Sequence, residues 1–115
     1  MAMHAPDMVF ENHSAGETAV GPEVRAHIGA IFAAWPDLAF TTRRLYVRAG
    51  LVVQEWTAAA THTEEMRRGD LLAAATGKRV EWDGIDVIPF EEGLVKRKDV
   101  WSDSVAILRQ VGLLG

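Results

Sequence analysis

The sequence contains no cysteine, only four prolines and one tyrosine, and no apolar stretch that approaches the length of a membrane span. The absence of cysteine excludes disulfides, thiolate zinc sites and thiol nucleophiles. Basic residues are also scarcer than acidic ones, 12 against 16, and are scattered in small clusters. Nucleic acid is not expected as a partner, because its phosphates require a basic excess or stripe. No basic segment followed by an apolar run begins the chain, so we expect a cytoplasmic protein without a membrane partner.

What the sequence does contain is enough apolar material for one core. The chain has 115 residues, of which 49% are hydrophobic and 24% are charged. This composition excludes general disorder and predicts a single domain over residues 1–115.

Periodicity and turn residues predict an α+β fold with a helix over a mostly antiparallel sheet. Gly21-Pro22 is typical of a helix start, and Pro36-Asp37 ends that helix. Thr63–Gly77 is predicted as a long connection with a helical turn near Glu64–Leu72. The other predicted elements are strands over Met8–Asn12, Phe40–Val47, Leu51–Thr61, Lys78–Phe90 and Leu94–Trp101, an irregular connection over Ser14–Gly21, and a closing helix over Ser104–Val111.

Alternation along Lys78–Phe90 draws attention to Asp86. One face of this strand carries Val80, Trp82, Gly84, Asp86, Ile88 and Phe90. Asp86 is the only ionisable residue on that face, and burial of an unpaired carboxylate costs several kcal/mol. The position therefore indicates either a buried partner, such as Arg97 or backbone N–H groups, or a ligand.

The same reasoning predicts the inner faces of two neighbouring strands. Gln54, Trp56, Ala58, Ala60 and His62 share one face of Leu51–Thr61, and Val95, Arg97, Asp99 and Trp101 share one face of Leu94–Trp101. If these faces meet, they form an apolar pocket with a few polar groups, which is typical of a small-molecule site. Its walls would be Trp56, Trp82 and Trp101, and its polar groups Asp86, Asp99, Arg97 and His62.

For several of these residues a purely structural role remains an alternative to a functional one. Asp99 can belong to a solvated, charge-paired edge, His62 can be a plain loop histidine, and the tryptophans can be core residues. The four histidines lack metal-ligand spacing, and neither a P-loop nor a nucleophile elbow is present. We therefore expect neither a metal site nor a cofactor.

Several segments together resemble the SnoaL-like polyketide cyclases of the nuclear transport factor 2-like superfamily. The resemblance extends in family order over nearly the whole chain. It is carried by Trp35-Pro36-Asp37-Leu38, Val52-Val53-Gln54-Glu55-Trp56-Thr57, Ala60-Thr61-His62-Thr63, Ala75-Thr76-Gly77-Lys78-Arg79-Val80, Gly84-Ile85-Asp86-Val87, Glu92-Gly93-Leu94-Val95 and Leu108-Arg109-Gln110-Val111-Gly112.

The resemblance implies a curved sheet wrapped with helices into a cone, open at one end over a pocket, and a homodimer formed through the outer sheet face. Family members usually begin with a further helix that covers the cone, and this sequence lacks it before Ala5-Pro6-Asp7. The absence suggests a shortened reading frame, a partner that covers the gap, or a more open pocket.

The resemblance also assigns roles to single residues. Asp86 matches the strand on which ketosteroid isomerase keeps a protonated aspartate, and lies near the pocket histidine of SnoaL-type cyclases. Asp99 resembles the acid/base aspartate of those cyclases. Asn12 stands where the isomerase has its base, and an amide cannot abstract a proton. Trp56 and Ala58 stand where limonene epoxide hydrolase has Arg and Asp, so neither of these two reactions is supported.

The sequence thus favours cofactor-free acid/base chemistry of the cyclase or isomerase type on an apolar carbonyl metabolite. Asp99 would move the proton, and Asp86, kept neutral, would donate a hydrogen bond to the enolate oxygen. The substrate-binding candidates are Asn12, Trp56, His62, Trp82, Arg97 and Trp101. The alternative is a non-catalytic ligand-binding or dimerisation domain in which both aspartates are structural.

Overall fold

A computed structural model of the chain describes residues 4–68 and 70–113. The predicted helices and long strands are present, and three short strands accompany them. In chain order the elements are β1 (His4–Asn12), β2 (Glu17–Val20), α1 (Glu23–Ala34), β3 (Ala39–Arg48), β4 (Leu51–Thr61), β5 (Met66–Arg68), β6 (Leu71–Ala73), β7 (Arg79–Glu91), β8 (Leu94–Ser102) and α2 (Ser104–Gln110).

Six strands form one open, mixed sheet in the order β2-β1-β8-β7-β4-β3, and β5 pairs with β6 in a separate hairpin. Neighbouring strands of the large sheet are antiparallel, except that β1 and β8 are parallel. The predicted α+β class with a mostly antiparallel sheet is therefore confirmed.

Two tight turns fix the long hairpins of this sheet. Gly50 joins β3 to β4 with a φ of 76°, and Glu92 and Gly93 join β7 to β8 with φ of 54° and 77°. Positive φ at both central residues, as at Glu92 and Gly93, is what a type I′ hairpin turn requires, and it suits the twist of the paired strands. Glycine supplies a residue with positive φ in both turns.

Helix α1 packs its apolar stripe over one side of the sheet, which we call the inner face. Val24 is buried, and Ile28 and Ile31 pack against the core. Trp35, at the end of the helix, contacts Trp82 of β7 with ring centroids 5.2 Å apart. Neither helix of the described residues has the length and apolar character that crossing a membrane requires.

Two predicted connections differ from the structure. Ser14–Gly21 contains β2, which pairs with β1. The predicted helical turn near Glu64–Leu72 is instead occupied by β5 and β6, although residue 69 between them lies outside the described residues. Strands of three or four residues are too short to show the alternation from which strands are predicted.

An extra residue in β8 reverses the predicted faces of that strand. Between the pairs Phe90–Val95 and Val87–Asp99, β7 advances by three residues and β8 by four. Such a bulge shifts the alternation by one, so side chains beyond it change sides. The prediction that Arg97, Asp99 and Trp101 face inward with Val95 was therefore wrong. Lys98, Val100 and Ser102 take the inner face instead.

Candidate functional site

A cavity of about 470 Å³ lies between α1 and the inner face of the sheet. Aromatic side chains provide much of its wall, and polar side chains reach it from β1, β7, β8 and α1. The aromatic lining is Phe10, Phe32, Trp35, Phe40, Trp56 and Trp82, and the polar lining is Asn12, Glu17, His27, Glu65, Asp86, Lys98 and Ser102. This arrangement is typical of a site for a small, mostly apolar molecule.

The carboxyl of Asp86 lies on the sheet side of the cavity. The residue is 7% exposed, and in the flanking strands it pairs with Gln54 of β4 and Val100 of β8. Burial raises the pKa of the Asp86 carboxyl, and this effect outweighs the opposing influence of the Trp56 indole N–H and the Lys98 ammonium. The prediction that Asp86 faces inward among apolar residues is confirmed.

Trp56 lies across β7 next to Asp86, and Gly84 makes this position possible. Trp56 pairs with Gly84 between β4 and β7, and a Cβ at Gly84 would overlap the indole ring. Phe40 packs edge-on against the same ring, with centroids 5.1 Å apart. Trp56 is 5% exposed, and its Nε1 has no hydrogen-bond partner among the described residues, although it lies near the Asp86 carboxyl. A buried N–H without a partner is costly, and a ligand oxygen could accept its hydrogen bond.

Of the other predicted pocket residues, Asn12 and Trp82 line the cavity and His62 does not. His62 is fully buried, and its Nδ1 lies 2.9 Å from Thr76 Oγ1 and 3.3 Å from Thr76 N. Its ring packs against Trp35, with centroids 5.6 Å apart. The backbone N–H of Thr76 donates to Nδ1. His62 thus packs against the wall residue Trp35 without lining the cavity itself.

Asp99 and Arg97 lie on the opposite, outer face of the sheet, in a cluster with Glu11 and His13. His13 Nε2 lies 2.8 Å from Asp99 Oδ1, and Arg97 pairs with both Glu11 and Asp99. The His13 ring stacks on Trp101 at a centroid distance of 4.2 Å. Burial raises the pKa of the Asp99 carboxyl, but the hydrogen bonds from Arg97 and His13 outweigh this effect, so its pKa lies below the ordinary value. Asp99 is thus a charge-paired carboxylate away from the cavity.

The outer cluster also has the spacing of a metal site. Glu11, His13 and Asp99 each place one ligand atom within 4.8 Å of the others. The Arg97 guanidinium already pairs with both carboxylates, and a cation would have to compete with it for their oxygens. The chemistry of this donor set therefore does not favour a metal ion.

Five polar residues of the cavity were missed in the sequence: Glu17, His27, Glu65, Lys98 and Ser102. Regular alternation from Val95 to Trp101 places Lys98 on the face opposite to the predicted inner one, and only the bulge in β8 brings it to the cavity. His27 lies on α1 directly before the core-packing Ile28, and its Nε2 is buried without a partner among the described residues. No spacing motif signals either residue, so the sequence pattern offered no means of finding them.

The family model for SnoaL-like polyketide cyclases matches residues 1–111. The chain belongs to this family. No curated protein sequence matches the chain.

Solved structures place the SnoaL-like chain in the nuclear transport factor 2-like fold. TsrD from Streptomyces laurentii is 24% identical, with a TM-score of 0.80 over 98% of this chain and 80% of TsrD. AclR, a proposed hydroxylase from Streptomyces galilaeus, is 22% identical, with a TM-score of 0.81 over 99% of this chain and 72% of AclR. IdmH, a proposed polyketide cyclase from Streptomyces antibioticus, is 21% identical, with a TM-score of 0.79 over 96% of this chain and 83% of IdmH. At these identities the similarity shows the fold alone.

Proposed function

We propose that this SnoaL-like protein performs cofactor-free acid/base chemistry of the cyclase or isomerase type on an apolar carbonyl metabolite. The observation that carries this proposal is the buried Asp86 carboxyl in an aromatic cavity. Burial raises the pKa of Asp86, which makes its carboxylate a stronger base and brings its titration closer to neutral pH.

The reaction uses Asp86 as a proton carrier. Its carboxylate takes the proton from a carbon next to the substrate carbonyl, and the electron pair of the broken C–H bond moves to form an enolate. In a cyclisation, the enolate carbon attacks a second carbonyl of the same molecule and forms a C–C bond. The resulting alkoxide then takes the proton back from Asp86. No oxidant or other reactant is consumed, and the product is an isomer of the substrate.

The remaining cavity groups orient the substrate. The buried Trp56 N–H, which lies beside the Asp86 carboxyl, donates to the enolate oxygen in a low-dielectric site, where such a bond is stronger than in water. Trp82 packs against the apolar skeleton, and Asn12 lines the same space. Asp99, on the outer face, has no part in this proposal, in contrast to the expectation drawn from the sequence.

Proton transfer at carbon can be measured without the natural substrate. Using 2-tetralone as a flat, apolar ketone in D2O, we expect the wild-type protein to accelerate exchange of its acidic C–H protons, followed by NMR. Asp86→Asn should abolish this acceleration and retain binding. Asp83→Asn is the matched control, because Asp83 lies on the same strand but is exposed and hydrogen-bonded to Thr57.

Two outcomes would contradict this function. Equal exchange rates for the wild type and Asp86→Asn would remove Asp86 from the reaction. If the wild type binds the ketone but does not accelerate proton exchange, the non-catalytic ligand-binding domain is favoured. The finding that β7 and β8 carry a single inward aspartate, Asp86, also fits that alternative.

We also propose that two copies associate through the outer face. Val53, Ile85 and Val87 lie at the centre of that face, and the exposed Tyr46 and Trp101 lie on the same side. Both helices line the cavity on the inner face, so neither covers this apolar surface. A second copy would bury it in a two-fold arrangement.

A further inference from the structure

We propose that Lys98 binds an anionic oxygen of the ligand and so selects ligands that carry one. This inference builds on the cavity of the proposed function and adds to it a charged group that the ligand must have. The anionic oxygen is either that of an acidic enol or phenol, or that of a carboxylate.

The position of Lys98 is the first support. The bulge in β8 directs this residue to the cavity, and it pairs with Phe10 of β1. Lys98 lies two residues from Val100, which is directly opposite Asp86, so Lys98 and Asp86 are diagonal neighbours on one sheet face. Lys98 supplies the one Lys or Arg side chain among the lining residues that the structure describes.

The second support is that Lys98 has no partner of its own. Its ammonium makes neither a hydrogen bond nor an ion pair with another described residue, whereas Lys96, on the same strand, pairs with Asp7 at 3.2 Å. The Asp86 carboxyl attracts the Lys98 ammonium, but the two groups form neither a hydrogen bond nor an ion pair. Glu17 and Glu65 line the same cavity, but no described carboxylate is in contact with the Lys98 ammonium. Its attraction for a ligand anion is less screened there than in bulk water.

The third support is the buried N–H of Trp56. Trp56 is 5% exposed, and its N–H lies close enough to the Asp86 carboxyl to lower the pKa of that group, but it makes no hydrogen bond of ordinary geometry with a described residue. Lys98 and Trp56 thus present two kinds of donor, one charged and one neutral, on either side of the Asp86 carboxyl. An oxygen that carries negative charge is the acceptor that this pair suits best.

Binding measured by quenching of tryptophan fluorescence tests the proposal with two matched pairs of probes. The first pair is 2,4-dinitro-1-naphthol, which is ionised at neutral pH, and its neutral methyl ether. The second pair is 2-naphthoate and neutral 2-naphthamide. Lys98→Met should weaken binding of an anionic probe by roughly 10-fold or more, as expected for a charge-assisted hydrogen bond, and that of its neutral counterpart by less than about 2-fold.

Two further variants separate charge from structure. Lys98→Arg keeps the cation and should retain the preference for the anion. Lys96→Met removes one charge from the same strand outside the cavity and should leave both affinities unchanged. If Lys98→Met loses affinity only for the naphthol, the ligand oxygen is that of an enol or phenol. If it loses affinity only for the naphthoate, the ligand oxygen is that of a carboxylate.

Equal weakening of anionic and neutral probes by Lys98→Met, or the same loss in Lys96→Met, would overturn the role of Lys98. The assay needs no turnover, so its result is independent of proton exchange. Asp86→Asn is expected to abolish exchange while keeping the preference for anions, and Lys98→Met is expected to change that preference even if no exchange is catalysed.

Discussion

The carboxyl of Asp86 couples the stability of the protein to pH. Its pKa in the folded state is raised above the ordinary value of 3.8, mainly by burial. Because the pKa is higher in the folded than in the unfolded state, the neutral acid contributes to stability, and this contribution is fully present at pH values below the pKa of the unfolded state. That stability is lost as the pH rises through the folded pKa.

Asp86→Asn should therefore be more stable than the wild type at mildly alkaline pH, by about 1 kcal/mol, because a neutral side chain replaces a carboxylate at a functional site. The difference should shrink towards zero in acid, where the carboxyl is protonated in both states. Urea denaturation at the two pH values measures it, with Asp83→Asn as the exposed control on the same strand. A loss of stability at every pH would show that the native Asp86 is a charged, paired group.

Single-residue reasoning from the sequence was reliable where alternation is regular. The inward positions of Asp86, Trp56 and Trp82 followed from it because β4 and β7 pair without a break. Asp99 and Lys98 were assigned to the wrong faces because the extra residue in β8 leaves no mark in the sequence. A bulge arises from pairing with a neighbouring strand, and side-chain type alone does not reveal it.

At the scale of elements, α2 closes the cavity from one side and depends on its N-cap. The Asp103 side chain accepts a hydrogen bond from Ala106 N at 3.0 Å. The other end of the helix is fixed by Gln110, whose side-chain amide bonds with the backbone of Glu81 at 2.7 and 3.0 Å. Ile107, between these two anchors, lines the cavity.

Replacement of the cap should weaken the fold and, with it, ligand binding. Asp103→Ala is expected to lower the free energy of unfolding by about 1 kcal/mol, whereas Asp103→Ser should keep most of it because serine also caps helices. Thermal unfolding measures both variants. Arg109→Ala, an exposed change on the same helix, is the control, and a loss as large as that of Asp103→Ala would show that the cap is not the cause.

The elements that the sequence predicted are those with repeated local signals. Helix α1 shows an apolar stripe after Gly21-Pro22, and the long hairpins have glycine in their turns. The short strands β2, β5 and β6 lack enough residues for such a signal. Their pairing depends on the strands beside them, so the local sequence does not specify them.

At the scale of the whole molecule, the uncovered outer face leads to a prediction about association. The wild type should sediment as a dimer, because the half-buried apolar residues Val53, Ile85 and Val87 of the outer face are left uncovered by both helices in a single copy. Val87→Asp should give a monomer, since a carboxylate at the centre of an apolar interface would be desolvated without a partner. Analytical ultracentrifugation distinguishes the two states.

Val105→Asp is the control for association, because it makes the same substitution at an exposed valine on α2, away from the outer face. A wild type that sediments as a monomer would refute the dimer. A dimer that survives Val87→Asp would place the interface elsewhere.

The overall topology was accessible only through resemblance. Local patterns predicted helices and antiparallel hairpins, but the parallel pairing of β1 with β8 joins strands far apart in the chain. No local rule specifies such a pairing, whereas the family resemblance implied a fold that contains it. The open cavity and the uncovered face both follow from this arrangement.

The overlap that a Cβ at Gly84 would make with Trp56 has an evolutionary consequence. The two positions form one steric unit, so a mutation at either changes which residues are tolerated at the other. Relatives with alanine or a larger residue at the position of Gly84 should therefore carry a smaller side chain at that of Trp56. In such relatives substitutions at the two positions would be correlated, and the volume of the cavity would change with them.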